Sequence, residues 1–478
     1  MKSGRRNFLK MTGLAGLTFA SGKLEAIAGE IKSRNIADLP QRSMQLQKSH
    51  VQHFNMSGFA APKIETVRVG FIGLGNRGPA HVQTLSRIEG VEIKALCDIR
   101  TEKAVEVRKS LENSMHKPEV YAGGENEWKK LCERNDIDLV YVTTPWYMHA
   151  DMAIYAMEHG KHVASEVPAA GSLEECWKLV ETAERTRKHC MMMENYVYGI
   201  NELVTLNMAR QGFFGEMVHG DCAYIDNKMR NNYNTKGYWD MWWLKIYANR
   251  KGNIYPTHGV GHICQLMDVN RGDKLDYLVS LESNDFQMAA KSKELAEKND
   301  LFKTFVGKDY RGNMNTTLIK TTKGRSIMLQ HDGTSPRLHN CINGVYGTKG
   351  SSLQYPNPLR ISKEDGAWVA QEECDLLVKK YTPEIFRKVG EITKNSGHGG
   401  GDLMEDWHLI DCLHNGLPLD QDVYDAAAWS SIIPLSEWSV NNRSGAIDIP
   451  DFTAGEWKKN KSNMDIELKN GGGNTRIV

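Results

Sequence analysis

Val67-Arg68-Val69-Gly70-Phe71-Ile72-Gly73-Leu74-Gly75-Asn76-Arg77-Gly78 decides the fold of this chain. A β-branched, apolar run leads directly into Gly-x-Gly-x-x-Gly, and a helical pattern, Pro79 to Ile88, follows. This reads as a buried strand, a glycine turn and a helix whose N-terminal N–H groups and partial positive charge suit a phosphate. Gly73 allows the tight turn, and Gly75 lets the backbone approach a pyrophosphate. Gly78 completes the pattern at the start of the helix. The next strand, Val91 to Cys97, ends at Asp98, about 20 residues beyond the last glycine. A carboxylate there accepts hydrogen bonds from both ribose hydroxyls and repels a 2′-phosphate, so NAD is expected rather than NADP, with Arg100 close by.

Working outward, strand and helix signals alternate. Thr101 to Ser114 is helical, Leu139 to Thr144 a strand, Met148 to His159 a helix and His162 to Ser165 a strand. Leu173 to Arg187 is a helix and Cys190 to Glu194 a strand. Such alternation predicts a doubly wound parallel sheet over residues 64–198. Beyond about Gly199 the pattern changes. Two helical stretches, Asn201 to Gln211 and His258 to Met267, flank an irregular Trp/Tyr/Asn-rich segment. Strands follow at Tyr277 to Ser283, Asn315 to Thr321, Ser326 to Asp332 and Cys341 to Gly347, with a helix at Val423 to Val440. The expected fold class is α/β: an N-terminal Rossmann domain, then an α+β substrate domain over 199–450 with a large, mostly antiparallel sheet and few helices. Residues 32–63 read as a polar linker or wrapping arm, and 451–478 as a polar tail.

The front of the chain carries Gly4-Arg5-Arg6-Asn7-Phe8-Leu9-Lys10, a short apolar stretch and the small-residue site Ala26-Ile27-Ala28. Residues 1–31 read as a twin-arginine export signal, too short to span a bilayer. Export to the periplasm or beyond is expected, where free nicotinamide cofactor is scarce. The enzyme is then expected to hold its cofactor through turnover and to run chemistry that leaves it unchanged. The remaining composition fits a protein in water: 478 residues, 40% apolar, 25% charged, net charge +1. That balance gives no sign of nucleic-acid binding or a membrane anchor. Nine cysteines without a CxxC pair point to neither a disulfide framework nor a zinc site, and no metal is expected.

In doubly wound sheets, ligands lie outside the carboxyl ends of the strands. Thr143-Thr144-Pro145-Trp146-Tyr147-Met148-His149, Ser165-Glu166-Val167-Pro168 and Asn195 all sit at such ends. With the glycine loop and a following large-sheet domain, they resemble the Gfo/Idh/MocA oxidoreductases. That family usually has Glu-Lys-Pro where this chain has Glu166-Val167-Pro168, and its lysine helps dehydrogenation. Valine carries no proton, so ordinary dehydrogenation is disfavoured.

The densest chemistry lies in Asn253-Ile254-Tyr255-Pro256-Thr257-His258-Gly259-Val260-Gly261-His262. Together with the glycine loop, Glu166-Val167-Pro168 and the leader, it is similar to glycoside hydrolase family 109, the NAD-dependent branch of the same fold. The resemblance runs from about Val67 to near Pro450. It implies NAD contacts from Asn76, Arg77, Asp98, Trp146, Tyr147, Met148, His149, Glu166, Val167, Asn195 and Tyr255. It also implies sugar contacts from Tyr224, Trp243, Tyr255, Pro256, Thr257 and His258. Two positions depart from the family pattern. Trp243 stands in Trp242-Trp243-Leu244 where an arginine is usual, and His339 follows Ser335-Pro336-Arg337-Leu338 where a tyrosine is expected. A guanidinium fork is lost and a stacking face gained, which bears on sugar specificity.

The activity implied is removal of a terminal α-N-acetylgalactosamine-like sugar from a carbohydrate or glycoconjugate. Oxidation at C3 acidifies the C2 proton, the glycosidic oxygen leaves C1, water adds, and C3 is reduced again. His258 and Tyr255 are the expected proton-handling residues at C3 and C2, in an order left open. The alternatives are an exported sugar oxidoreductase with a tightly bound cofactor, and a sugar-binding protein that keeps NAD as a structural element. Homo-oligomerisation is left open.

Overall fold

The computed structural model describes residues 36–355, 358–462 and 464–478; residues 1–31, expected to be an export signal, lie outside them. Six parallel strands form the first sheet: β1 (Val67–Ile72), β2 (Val91–Asp98), β3 (Glu119–Ala122), β4 (Leu139–Val142), β5 (His162–Ser165) and β6 (Cys190–Met192). Their order, β3-β2-β1-β4-β5-β6, reverses between β1 and β4 and opens a crevice at the carboxyl ends. The sequence reading missed β3. This four-residue edge strand has no buried side chain, so it carries no apolar run to read.

Eight strands form the second sheet: β7 (Met217–Ile225), β8 (Leu275–Glu282), β9 (Met314–Thr321), β10 (Ser326–Asp332), β11 (Asn343–Gly347), β12 (Gly350–Gln354), β13 (Arg360–Lys363) and β14 (Ile447–Asp448). Their order is β13-β12-β11-β7-β10-β9-β8-β14. Only β7 and β10 pair in parallel, at the centre. β7 replaces part of the segment expected to be irregular; Gly220 and Asp221 interrupt its β-forming residues and hide it.

This half also holds more helix than expected, including Gln371–Tyr381, Glu384–Thr393 and Gly401–Asn415. The helix Thr257–Leu266 lies flush on the sheet. A β-carbon on Gly259 would come within 2.7 Å of Leu329 and 3.0 Å of the Ala223 backbone. That close approach brings the N-terminal turn of the helix to the crevice.

Both the arm and the C-terminal tail are tied to the rest of the molecule. In the arm, the helix Leu39–Ser49 is followed by a segment in which Gln52 Nε2 and the Met56 N–H donate to the Tyr424 hydroxyl at 3.0 and 3.1 Å. Tyr424 in turn donates to Glu184 at 3.0 Å, so the arm ties two helices together. The polar tail folds back on the molecule. Thr475 accepts from Trp407 Nε1 at 2.9 Å, and the Val478 N–H donates to the Arg87 carbonyl at 2.7 Å. Met464 and Ile466 are buried, so this polar tail packs on the molecule.

Candidate active site

A cavity of about 350 Å³ opens at the carboxyl ends of the first sheet and runs to the Trp-rich segment of the second half. The glycine loop forms one end. Gly73 has φ +95°, and a β-carbon there would meet the Thr143 backbone at 2.7 Å. One on Gly78 would lie 2.2 Å from the Gly73 carbonyl oxygen. Gly75 differs: a β-carbon on it would meet nothing nearer than Arg100 Nη2 at 3.5 Å, in space that belongs to the cavity. Two glycines therefore serve packing, and the middle one keeps a surface open for a ligand. The helix Gly78–Leu85 begins there with no side-chain cap from Arg77, leaving its positive end to an anion.

Asp98 lines the cavity and accepts from the Leu74 N–H at 2.7 Å, the Arg100 N–H at 2.8 Å and Arg100 Nε at 3.2 Å. Oδ1 takes both Arg100 bonds and Oδ2 only that from Leu74, so Oδ2 keeps a lone pair for a ribose hydroxyl, while Asp98 also fixes the loop. Asn76 donates to the Gly237 carbonyl at 3.3 Å, joining the loop to the Trp-rich segment. These residues fit a dinucleotide.

Beneath the cavity lies a buried carboxylate cluster. Arg77 Nε donates to Glu166 at 2.6 Å, and its two terminal nitrogens bind Asp402 at 3.0 Å each. The guanidinium is thus committed to protein carboxylates. Burial alone would raise Glu166, but Arg77 and His81 hold it well below the usual carboxylate range. Burial likewise opposes Asp402, and His398 and Arg77 hold it low. Glu405 is the opposite case. Burial, then the fields of Asp406, Glu194, Glu166 and Asp402, push it well above its usual range. Asp402, Glu405 and Asp406 all come from the helix Gly401–Asn415.

His258 lines the cavity and donates through Nδ1 to Glu194 Oε1 at 2.7 Å. Its ring meets Tyr255 edge-on at 4.8 Å and Tyr196 at 4.7 Å. Tyr255 stacks on Trp146 at 4.7 Å and 13°. Burial, with Glu166 and Glu194 nearby, pushes the Tyr255 hydroxyl far up and keeps it protonated. Tyr224 and Trp243 complete an aromatic wall, Trp243 stacking on Tyr238 at 5.5 Å. Another histidine, His398, reaches the cavity from a glycine-rich turn and donates through Nδ1 to Asp402 at 2.9 Å.

Most of the residues singled out from the sequence line this one cavity. Met148, Glu166, buried Val167 and Asn195 join those described above. So does His149, which bridges the Thr144 and Pro168 carbonyls at 2.7 and 2.8 Å. Gly78, Tyr147, Pro256, Thr257 and His339 do not line it. Pro256 and Thr257 are buried at the helix start, and exposed His339 binds the Tyr196 hydroxyl at 2.8 Å. His262 faces the core, 3.2 Å from Thr205, and burial lowers it to about 3.

Sequence reasoning missed Glu194, Tyr196, His398, Asp402 and Glu405. Glu194 was absorbed into a strand that in fact stops at Met192. His398 and Asp402 carry one faint signal, the run Gly397-His398-Gly399-Gly400-Gly401 opening a helix.

Comparison with known proteins agrees with this architecture. Residues 67–194 match the model of an oxidoreductase family with an NAD-binding Rossmann fold. Residues 198–459 match that of the C-terminal domain of glycosyl hydrolase 109. The chain is 42% identical over 473 residues to a glycosyl hydrolase family 109 protein of Shewanella pealeana, covering 96% of this chain and 98% of that one. It is 43% identical over 474 residues to an alpha-N-acetylgalactosaminidase of Shewanella oneidensis, covering 96% and 97%. In fold it is similar to levoglucosan dehydrogenase in complex with NADH, at TM-score 0.59 and 16% identity, over 81% of this chain and all of that one. Scyllo-inositol dehydrogenase from Lactobacillus casei, with NAD(H) and scyllo-inositol, matches at TM-score 0.57 and 14% identity, over 81% of this chain and all of that one.

Proposed function

The chain belongs to glycosyl hydrolase family 109 and is a glycoside hydrolase with an NAD-binding domain, and we propose that it removes terminal α-N-acetylgalactosaminide-like sugars by oxidation, elimination, hydration and re-reduction. NAD held between the glycine loop and Asp98 supplies the hydride acceptor, and later the donor, for C3 of the sugar. The chain's own residues move the protons. Glu194 fixes the His258 ring by its Nδ1, leaving Nε2 to take a proton from the sugar. Tyr255, held protonated, donates a hydrogen bond to the sugar or returns a proton to it. Between them they serve the C3 oxygen and C2. The aromatic wall takes the apolar face of the sugar and keeps water out while C3 is a ketone.

The observation that carries this reading is the Glu194–His258–Tyr255 group on the wall of the cavity that the glycine loop opens onto. Valine at 167, in place of a proton-carrying lysine, supports it over ordinary dehydrogenation. The decisive test is turnover of an aryl α-N-acetylgalactosaminide in heavy water with no added nucleotide. Deuterium at C2 of the released sugar is expected. Hydrolysis with no C2 exchange and no C2 isotope effect overturns the route. Export through the twin-arginine leader belongs to the same proposal, because it explains a captive cofactor. Changing Arg5 and Arg6 together to lysine is expected to keep active enzyme in the cytoplasm.

A further inference from the structure

Oxidation at C3 and elimination across C1 and C2, the reading above on which this inference rests, engage one side of the sugar. The hydroxyls at C4 and C6 take no part in the bond changes. They need partners of their own, because a few placed polar groups in an aromatic pocket fix a ligand's orientation.

Lys228 is positioned for that task. It lines the cavity, and its side chain is only 14% exposed. The ammonium lies 5.7 Å from the centre of the Tyr224 ring and 5.9 Å from that of Trp243. The Tyr224 ring also meets the His258 ring at 5.2 Å, so Lys228 and His258 flank one aromatic platform. The lysine is held from both ends. Its backbone N–H donates to the Gly333 carbonyl at 2.9 Å, and its ammonium pairs with Asp226. The Asp226 N–H donates in turn to the Asp332 carbonyl at 2.9 Å, which pins the pair where β7 and β10 end. Asp226 takes the ammonium through Oδ2 alone, leaving N–H donors for a ligand. The carboxylate also cancels the positive charge, so the pair suits a neutral hydroxyl better than an acidic sugar.

The other cations along the cavity are engaged elsewhere. Arg77 is committed to Glu166 and Asp402, and Arg100 to Asp98. Lys103 donates to Glu106 at 2.9 Å. Lys236 is exposed and adjoins Gly237, the partner of Asn76 in the glycine loop. We infer that Lys228 is a specificity-determining residue, its ammonium donating to the C4 or C6 hydroxyl of a neutral sugar that lies on the Tyr224–Trp243 wall.

The test uses the full enzyme with its retained cofactor, an aryl α-N-acetylgalactosaminide, and the 4-deoxy and 6-deoxy forms of that substrate. Lys228→Met keeps an apolar stem against the rings and removes the donor. The double variant Asp226→Asn with Lys228→Met also removes the carboxylate left without its partner. In the parent, one of the two deoxy substrates should lose about 10–100-fold in kcat/KM, and in both variants the same deletion should cost less than about threefold. Nucleotide content should match the parent throughout. Equal losses in parent and variants at both C4 and C6 overturn the assignment. So does coupling of Lys228 to the C2 acetamido group, or a parent preference for a 6-carboxylate sugar that Lys228→Met abolishes. Calorimetric binding of the free sugar and its two deoxy forms to the NAD-loaded protein repeats the comparison without turnover. A parent that shows this coupling in binding but no C2 exchange loses the elimination route and keeps Lys228, so the two failures are told apart.

Discussion

At His258 the ring is set by a neighbour from another element: Glu194 sits past the end of β6, and His258 in the first turn of the helix Thr257–Leu266. Replacing His258 by alanine should lower kcat by about 10²–10⁴ while leaving bound NAD in place. Glu194→Gln keeps the shape and removes the charge behind Nδ1. It should also lower kcat by more than about tenfold, with cofactor content unchanged. Steady-state kinetics with nucleotide quantified by mass spectrometry checks both, and a Glu194→Gln enzyme of parental kcat removes Glu194 from the mechanism. Tyr255 and His258 were legible because a proline-stiffened, histidine-bearing stretch has an uncommon chemical density. Glu194 was not, because it follows the apolar Met191-Met192-Met193 run and passes for the end of a strand.

Among the elements, the strand–loop–helix unit at β1 makes a sharp comparison possible. Gly75→Ala meets no atom closer than 3.5 Å, so the fold should tolerate it while NAD is lost or weakened. Gly78→Ala drives a β-carbon to 2.2 Å from a carbonyl oxygen and should cost at least about 1–3 kcal/mol of stability. Thermal melts and nucleotide content separate the two, and equal destabilisation would deny that Gly75 faces a ligand. The first sheet could be read from the sequence because three of its six strands are buried throughout and two more are mostly buried. The helix Gly401–Asn415 could not. All but its last two residues are buried, yet it carries Asp402, Glu405, Asp406 and His408, so its sequence looks like a solvated face. Those charges make sense only against partners more than three hundred residues away, such as Arg77.

Across the whole molecule, those same contacts bind one half to the other. Arg77 joins β1's loop to Asp402, and Tyr141 of β4 donates to Asp406 at 2.9 Å. Glu166 and Asp402 are held below their ordinary carboxylate values of 4.5 and 3.8. A carboxylate depressed in the folded state adds stability that is complete above its unfolded value and lost as pH falls through the folded one. The melting temperature should therefore drop progressively as pH falls below about 4.5, and Asp402→Asn should show a shallower slope there from a lower starting point. An identical acid slope in that variant removes Asp402 as its source. Deleting residues 464–478 exposes Trp407 and the flank near Ile88, and should lower the melting temperature although the segment looks dispensable from its polarity.

The aromatic wall has an optical consequence. Trp128, Trp146, Trp239, Trp242 and Trp243 line the cavity, five of the eleven tryptophans in the chain. Indole emission overlaps the absorption of a reduced nicotinamide, so energy passes from excited tryptophan to the dihydropyridine ring when the two are close. On the proposed route each catalytic cycle would pass through that reduced state and leave it again. A stopped-flow trace of tryptophan quenching and sensitised blue emission should rise and decay within a single turnover, with no label added. An enzyme that follows that route would report its own redox state in light.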